Sequence, residues 1–152
     1  CWYLRHLYLQ NELRVPGKLT TCGEKVDVGA IKAPFYLYAS REDHIVPWDA
    51  AYRSTQMIKG KKRFVMGASG HIAGVINPPA KGKRNYWTND RLVEGAEDWF
   101  DAATEHPGSW WTDWSKWLAA HGGRKVAAPK SPGNRQFKAI EPAPGRYVKQ
   151  KA

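Results

Sequence analysis

The fold can be predicted from one stretch of sequence, Ala33-Pro-Phe-Tyr-Leu-Tyr-Ala-Ser-Arg-Glu-Asp-His-Ile-Val-Pro-Trp48. Its apolar and aromatic run, residues 35–38, follows Pro34 and has the composition of a buried strand. Asp43 comes shortly after that strand, and ligands of open α/β sheets bind beyond the carboxyl ends of parallel strands. The stretch therefore predicts an α/β fold with a functional acid at the edge of the sheet.

A second strand and a histidine follow. The run Arg63-Phe-Val-Met66 predicts another short strand, and Gly67-Ala-Ser-Gly-His71 comes directly after it. In an α/β-hydrolase the triad runs in the order nucleophile, acid, histidine, so Asp43 and His71 fit the last two members. The carboxylate would hold the tautomer of the imidazole, which would take a proton from a nucleophile. Glu42 is the competing acid, and an isolated histidine in such a loop is more often structural.

No nucleophile elbow accompanies this pair. Neither Cys1 nor Cys22 has the flanking glycines of a Gly-x-Cys-x-Gly elbow, and Ser69 also lacks them. We interpret Cys22 as a small side chain buried in a hairpin. Two isolated cysteines give neither a disulfide framework nor metal-ligand spacing, so we expect no metal and a reducing cytosol. Because the chain opens at Cys1 without a secretory signal, we also expect it to be a piece of a longer protein.

The whole chain divides into three predicted regions. They are an aromatic helix in 1–17, a central α/β region in 18–123 and a basic, Pro-rich, irregular tail in 124–152. No apolar run is long enough to span a bilayer. Hydrophobic spacing, caps and turn residues predict a helix over 1–13, a hairpin over 18–28, and helices over 48–58, over 92–100 and from Ser109 or Thr112 to Gly122.

The net charge of +10 favours a polyanionic or phosphate-bearing partner, or simply a solvated basic surface. Nucleic acid is the least favoured partner because no basic helix or aromatic-basic RNA motif is present.

His44 is open to two interpretations, a second polar group in the cleft or a turn residue.

Several longer motifs resemble the class I poly(3-hydroxyalkanoate) synthases, and the resemblance covers essentially the whole chain. They are Cys1-Trp-Tyr-Leu-Arg-His6, Tyr8-Leu-Gln-Asn-Glu-Leu13, Pro16-Gly-Lys18, Ser40-Arg-Glu-Asp-His-Ile-Val-Pro-Trp48, Gly67-Ala-Ser-Gly-His-Ile-Ala-Gly-Val-Ile-Asn-Pro-Pro-Ala80, Trp87-Thr-Asn-Asp90, Gly108-Ser-Trp-Trp111 and Ile140-Glu-Pro-Ala-Pro-Gly-Arg-Tyr-Val-Lys149. The chain would correspond to the carboxyl-terminal quarter of such an enzyme. Its fold would be the carboxyl-terminal portion of an α/β-hydrolase-like, doubly wound sheet whose nucleophile elbow lies upstream.

The resemblance implies an acyltransferase that polymerises (R)-3-hydroxyacyl-CoA, with 3-hydroxybutyryl-CoA as the first candidate, and releases CoA. It matches Asp43 and His71 to the acid and base of a Cys-His-Asp triad, and His44 to a cleft-lining histidine. It further implies that Ala73 shapes the acyl pocket and that Arg84 binds CoA. No metal or redox cofactor is expected, since the CoA thioester is the substrate.

The resemblance also implies partners and a location. We expect a cytoplasmic, granule-associated homodimer in contact with the growing polyester chain, with the opening helix near a cap. Two rival functions are an α/β-hydrolase-type esterase or polyester depolymerase, which would share Asp43 and His71, and a non-catalytic fragment that binds the granule surface. The isolated 152-residue chain is predicted to be inactive, and we doubt that it folds alone because part of the sheet is missing.

Overall fold

The computed structural model describes residues 1–151, and the chain divides into two compact units. The first unit is Cys1–His121, and the second begins at Gly122. The strands and α-helices of the first unit are, in order, β1 (Thr20–Thr21), β2 (Glu24–Lys25), β3 (Phe35–Ser40), α1 (Trp48–Met57), β4 (Lys62–Gly67), β5 (Asn85–Thr88), α2 (Ala96–Asp101), β6 (Thr104–Pro107) and α3 (Trp111–His121). Short π or 3-10 helices lie at Leu4–Leu9, Glu12–Arg14, Val28–Ala30 and Pro79–Lys81.

The central sheet has four strands in the order β3-β4-β5-β6. Strands β3 and β4 are parallel and in register, from Phe35 opposite Lys62 to Ser40 opposite Gly67. The other two pairs, β4 with β5 and β5 with β6, are antiparallel. The sheet is therefore mixed, and its parallel part carries both predicted strands.

Helices cover both faces of this sheet. Successive side chains of a strand point to opposite faces, and the three central residues of β4 are all essentially inaccessible to solvent. Phe64 and Met66 pack with Trp99 of α2 on one face, where residues of α1 also pack. Val65 packs with Trp110, at the start of α3, on the other face. This confirms the predicted α/β class.

The α-helices form close to where the sequence predicts them. Helix α1 begins directly after Pro47 and ends at Met57, within one residue of the prediction. Helix α3 starts after Ser109, whose hydroxyl accepts a hydrogen bond from the Trp111 N–H at 3.1 Å, as an N-cap should. Helix α2 is shorter than predicted because it begins only after Gly95.

The opening segment is not one continuous helix, so the prediction of a helix over 1–13 is wrong. Asn11 adopts a left-handed conformation with φ of 47°, which separates the turn Leu4–Leu9 from Glu12–Arg14. Such a φ cannot continue a right-handed helix. Large apolar side chains of this segment are exposed, including Leu9.

The predicted hairpin is present as the short pair β1 and β2. Its turn consists of Cys22 and Gly23, which both have positive φ, the combination that a tight two-residue hairpin turn requires. Cys22 is exposed, so the expectation that it is buried is wrong. The reason is that it occupies the turn itself and not a strand facing the core.

Strands β5 and β6 were not predicted. Strand β6 reads Thr-Glu-His-Pro and is almost entirely exposed at the edge of the sheet, so it lacks the apolar alternation that identifies a strand. Strand β5 buries only Tyr86 and Trp87. Strand β5 forms by pairing with β4, and β6 forms by pairing with β5, which a local pattern does not reveal.

The second unit has the irregular structure expected from its composition. Within residues 122–151 the regular element is the 3-10 turn Tyr147–Lys149, and nearly all side chains are exposed. Across residues 1–151, none of the helices has the length and apolar character needed to cross a membrane.

Candidate active site

The loops after β3 and β4 lie side by side at the carboxyl ends of these two strands. The Arg41 N–H donates to the Gly67 carbonyl at 2.8 Å, and the Glu42 N–H donates to the Ser69 carbonyl at 3.0 Å. These bonds extend the pairing of the parallel strands into both loops. Asp43 and His71 therefore follow the ends of neighbouring strands, on the same edge of the sheet.

Asp43 is fixed by its own loop. Its Oδ1 accepts hydrogen bonds from the N–H groups of Ile45 at 2.8 Å and Val46 at 3.0 Å. The bond from Val46, then that from Ile45, holds the pKa of this carboxyl below its ordinary value, and the nearby imidazoles of His71 and His44 act in the same direction. Asp43 is therefore ionised at neutral pH.

His71 is half-buried and lies beside His44. The two rings meet edge to face with centroids 5.0 Å apart. Among residues 1–151, no hydrogen bond joins His71 to Asp43, whose charge nevertheless interacts with that imidazole. The structure thus brings Asp43, His44 and His71 together in one cluster.

A short helical turn follows His71. The Gly74 N–H donates to the Gly70 carbonyl at 2.8 Å, and the Ile76 N–H donates to the Ile72 carbonyl at 2.9 Å. A methyl group on Gly74 would meet Ser40 Oγ and the carbonyls of Ala68 and Gly70 at distances no real side chain shows. The glycine therefore allows the turn to pack closely on the end of β3.

The structure also brings Ala73 and Arg84 together, through the side chain of Arg84 and the backbone of Ala73. The Nη1 of Arg84 donates to the Ala73 carbonyl at 2.6 Å. Arg84 has a left-handed φ of 68°, a conformation that a non-glycine residue adopts uncommonly. The guanidinium predicted to meet CoA thus lies beside the turn that follows His71.

A cavity of about 250 Å³ borders the acid. Its lining includes side chains of β3, of the Asp43 loop, of α1 and of the turn after His71, namely Tyr38, Ala39, Ser40, Asp43, Val46, Ala51 and Val75. Ala73, predicted to shape an acyl pocket, is not among them. No three His, Cys, Asp or Glu side chains of residues 1–151 are grouped as a metal site would require.

Sequence reasoning missed two aromatic residues next to this site, Tyr38 and Trp110. Tyr38 stacks on Trp110 with ring centroids 4.1 Å apart, and its hydroxyl lies 3.0 Å from Ser40 Oγ. Burial raises the pKa of this phenol, although Ser40 and Arg84 act in the opposite direction. The spacing of Tyr36 and Tyr38 does indicate one face of a strand, but it does not indicate which distant residue covers that face.

Comparison with known proteins identifies the family. No family model matches the chain. Over all 152 residues it is 66% identical to the poly(3-hydroxyalkanoate) polymerase subunit PhaC of Cupriavidus necator, of which it covers 26%. This chain belongs to the poly(3-hydroxyalkanoate) polymerase family. It is also 43% identical over 150 residues to the PhaC subunit of Rhizobium etli, and 36% identical over 148 residues to poly(3-hydroxyalkanoate) polymerase 1 of Ectopseudomonas oleovorans.

The chain spans about a quarter of the length of these curated polymerases, in their carboxyl-terminal part. The resemblance noted from the sequence motifs is thereby confirmed at the level of the family. The chain contains a carboxylate and a histidine at neighbouring strand ends, whereas its cysteines, Cys1 and Cys22, are both exposed.

Proposed function

We propose that this chain supplies the acid and the base of a polymerising acyltransferase whose cysteine nucleophile lies upstream in the full-length protein. The observation that carries the proposal is the pairing of two parallel, in-register strands, β3 and β4, whose following loops contain Asp43 and His71. The match of the whole chain to polymerases supports the assignment of this reaction to the pair.

The proposed substrate is an (R)-3-hydroxyacyl-CoA, with 3-hydroxybutyryl-CoA as the one to test first. His71 takes the proton from the cysteine thiol, and the thiolate attacks the thioester carbonyl of the substrate. CoA leaves as its thiol with the proton from His71, and the acyl group remains on the cysteine. The 3-hydroxyl of another acyl unit then loses its proton to His71 and attacks this thioester. The cysteine leaves as its thiol with that proton, and the new ester bond lengthens the polyester by one unit.

Asp43 is suited to support both proton transfers. Its low pKa keeps the carboxylate charged, and a neighbouring negative charge stabilises the imidazolium that forms on His71. Its Oδ1 is used by Ile45 and Val46, whereas Oδ2 has no hydrogen bond among residues 1–151. We assign Oδ2 to the His71 ring or to the attacking hydroxyl, since such contacts often tighten only in the reacting complex.

Arg84 is the proposed CoA contact. A guanidinium can bind phosphate through two parallel N–H groups, and Arg84 is exposed. Its Nη1 already binds the Ala73 carbonyl, so a CoA phosphate would have to approach the other nitrogens. Ala73 and His44 are proposed to line the acyl cleft.

We also propose the larger context of the segment. Strand β3 lies at the edge of the sheet in this chain, so an upstream strand could pair with it and complete an α/β-hydrolase-like sheet. The homodimer and the location on cytoplasmic polyester granules rest on the resemblance alone. We expect no metal or redox cofactor.

The experiment compares variants of the full-length polymerase. His71→Gln and Asp43→Asn should lower the rate of CoA release from 3-hydroxybutyryl-CoA by about 10²-fold or more, the usual contribution of a general base. Glu42→Gln is the matched control, because the neighbouring acid is exposed and outside the proposed triad. Equal rates in all three variants would refute the assignment.

The products of the same assay decide between the polymerase and the esterase or depolymerase. A polymerase converts the substrate to insoluble polyester and CoA, whereas an esterase produces free 3-hydroxybutyrate.

A granule-binding fragment is the second candidate, favoured by the exposed Phe137, Ile140 and Tyr147 of the basic tail. It would be supported if full-length protein released no CoA but bound polyester granules.

A further inference from the structure

The start of α3 reaches across to the helical turn that follows His71. Trp110 donates its indole N–H to the Gly74 carbonyl at 3.0 Å, and Trp111 donates its indole N–H to the Val75 carbonyl at 2.9 Å. The Ser109 hydroxyl donates to the Asn77 carbonyl. Three consecutive residues of one segment therefore bind three carbonyls of another. We call Ser109, Trp110 and Trp111 the turn clamp.

The need for these donors comes from the shape of the turn. The last carbonyls of a helical segment have no partner within the segment, and a buried carbonyl without a hydrogen bond is costly. Among residues 1–151 the carbonyls of Gly74 and Asn77 accept no backbone hydrogen bond, whereas the Val75 carbonyl also accepts one from the Asn77 N–H at 3.1 Å. Ser109 and Trp110 supply their donors from buried positions, 4% and 8% exposed, whereas the bond from Trp111 to the Val75 carbonyl is exposed.

The clamp is itself held rigidly. The Trp110 ring stacks on Tyr38 of β3, the strand that leads to the Asp43 loop. Helix α3 is tied to the sheet by Asp113, which accepts hydrogen bonds from Arg63 at 2.8 and 2.6 Å and from Tyr36 at 2.9 Å. The clamp therefore connects the strand that precedes the acid to the turn that follows the base.

We propose that Ser109, Trp110 and Trp111 are positioning residues that fix the imidazole of His71 relative to Asp43 and the upstream thiol. This inference rests on the function proposed above. The three residues bind the turn and not the reacting atoms, so they act through His71. A displacement of about 1 Å in a catalytic group can cost about 10²-fold in rate, so a loosened turn should lower turnover without weakening substrate binding.

The test is the double variant Trp110→Phe, Trp111→Phe in the full-length polymerase. It removes both indole N–H donors and keeps aromatic rings in place. The matched control is Trp117→Phe, which lies on the same helix, packs on Tyr36 and donates no indole hydrogen bond to any residue of 1–151. We expect kcat for CoA release to fall about tenfold or more in the double variant, with KM changed less than about twofold, and both constants to be near wild type in the control.

Hydrogen exchange gives a readout that does not depend on activity. Peptides covering residues 70–77 should exchange faster in the double variant and at the wild-type rate in Trp117→Phe. If the double variant does not fold, the single variant Trp111→Phe, at a half-buried position, is used in its place. It should also show a lower kcat for CoA release and faster exchange of residues 70–77.

The possible outcomes distinguish failure of the clamp from failure of the proposed function. Unchanged kcat and unchanged exchange in a folded variant would overturn the clamp, and so would an equal loss of kcat in Trp117→Phe. If wild-type protein released no CoA while the exchange of residues 70–77 still increased, the proposed function would fail and the clamp would remain only as a structural device.

Discussion

Arg63 binds two carboxylates in very different surroundings, which makes its two ion pairs a direct test of how α3 is held. Its Nη2 lies 2.6 Å from Asp113 Oδ2, and its Nη1 lies 2.6 Å from Asp90 Oδ1. The Asp113 side chain is only 16% exposed, whereas that of Asp90 is 90% exposed. Because the two N–O distances are equal, solvent screening should decide which ion pair contributes more to the stability of α3.

Replacement of Asp113 by Asn removes the charge that faces Arg63 while nearly preserving the shape. Hydrogen bonds to charged groups contribute about 1.5–3 kcal/mol, and the site is partly exposed, so we expect a loss of about 2 kcal/mol in the free energy of opening of α3. Asp90→Asn should cost less than about 0.5 kcal/mol, as for exposed ion pairs.

The difference between wild type and Asp113→Asn should also depend on pH. Although burial alone would raise the pKa of this carboxyl, hydrogen bonds from Arg63 and Tyr36 lower it overall. A lowered pKa in the folded state gives stability that is present above the ordinary carboxyl pKa of about 3.9. This stability is lost as the pH falls through the lower folded-state pKa, so the two proteins should converge in acid.

The assay is hydrogen exchange of peptides from residues 111–121 in full-length protein, because it reports the local opening free energy even where global unfolding has several steps. Equal losses in Asp113→Asn and Asp90→Asn would refute the reasoning, since they would mean that burial does not distinguish the two pairs.

Three further predictions concern the core and the site. Trp99→Leu should destabilise the full-length protein by about 3 kcal/mol in urea unfolding, because the indole is fully buried and donates to the Asn89 carbonyl. Gly74→Ala should destabilise by about 1–3 kcal/mol and slow CoA release, whereas Gly70→Ala, whose methyl group meets nothing closer than 3.6 Å, should be better tolerated. Asp43→Asn should move the acid limb of the pH–rate profile, and an unchanged profile would contradict a catalytic role.

The parallel strands and the long helices could be predicted because their signals are local. The run Phe35–Ser40 is apolar and bounded by Pro34, and Ser109 caps α3 with its own side chain. The neighbourhood of Asp43 and His71 followed from the same two strands, because the carboxyl ends of adjacent parallel strands share one edge of a sheet.

What the sequence did not reveal depends on distant partners. Strand β6 is polar and forms by pairing with β5, and Cys22 is exposed because the backbone of its turn requires a positive φ. The contacts of Trp110 with Gly74 and Tyr38 join segments that no periodicity relates. Trp110 is buried, but no local pattern could show that its N–H supports the turn after His71.

The most direct test of the central claim is the intact mass of full-length protein after brief incubation with 3-hydroxybutyryl-CoA. If His71 activates an upstream thiol, wild-type protein should carry the acyl group on one cysteine, and His71→Gln should remain largely unmodified over the same time. Acylation of His71→Gln at the wild-type rate would contradict the claim, because the thiol would then react without the base that this chain is proposed to supply.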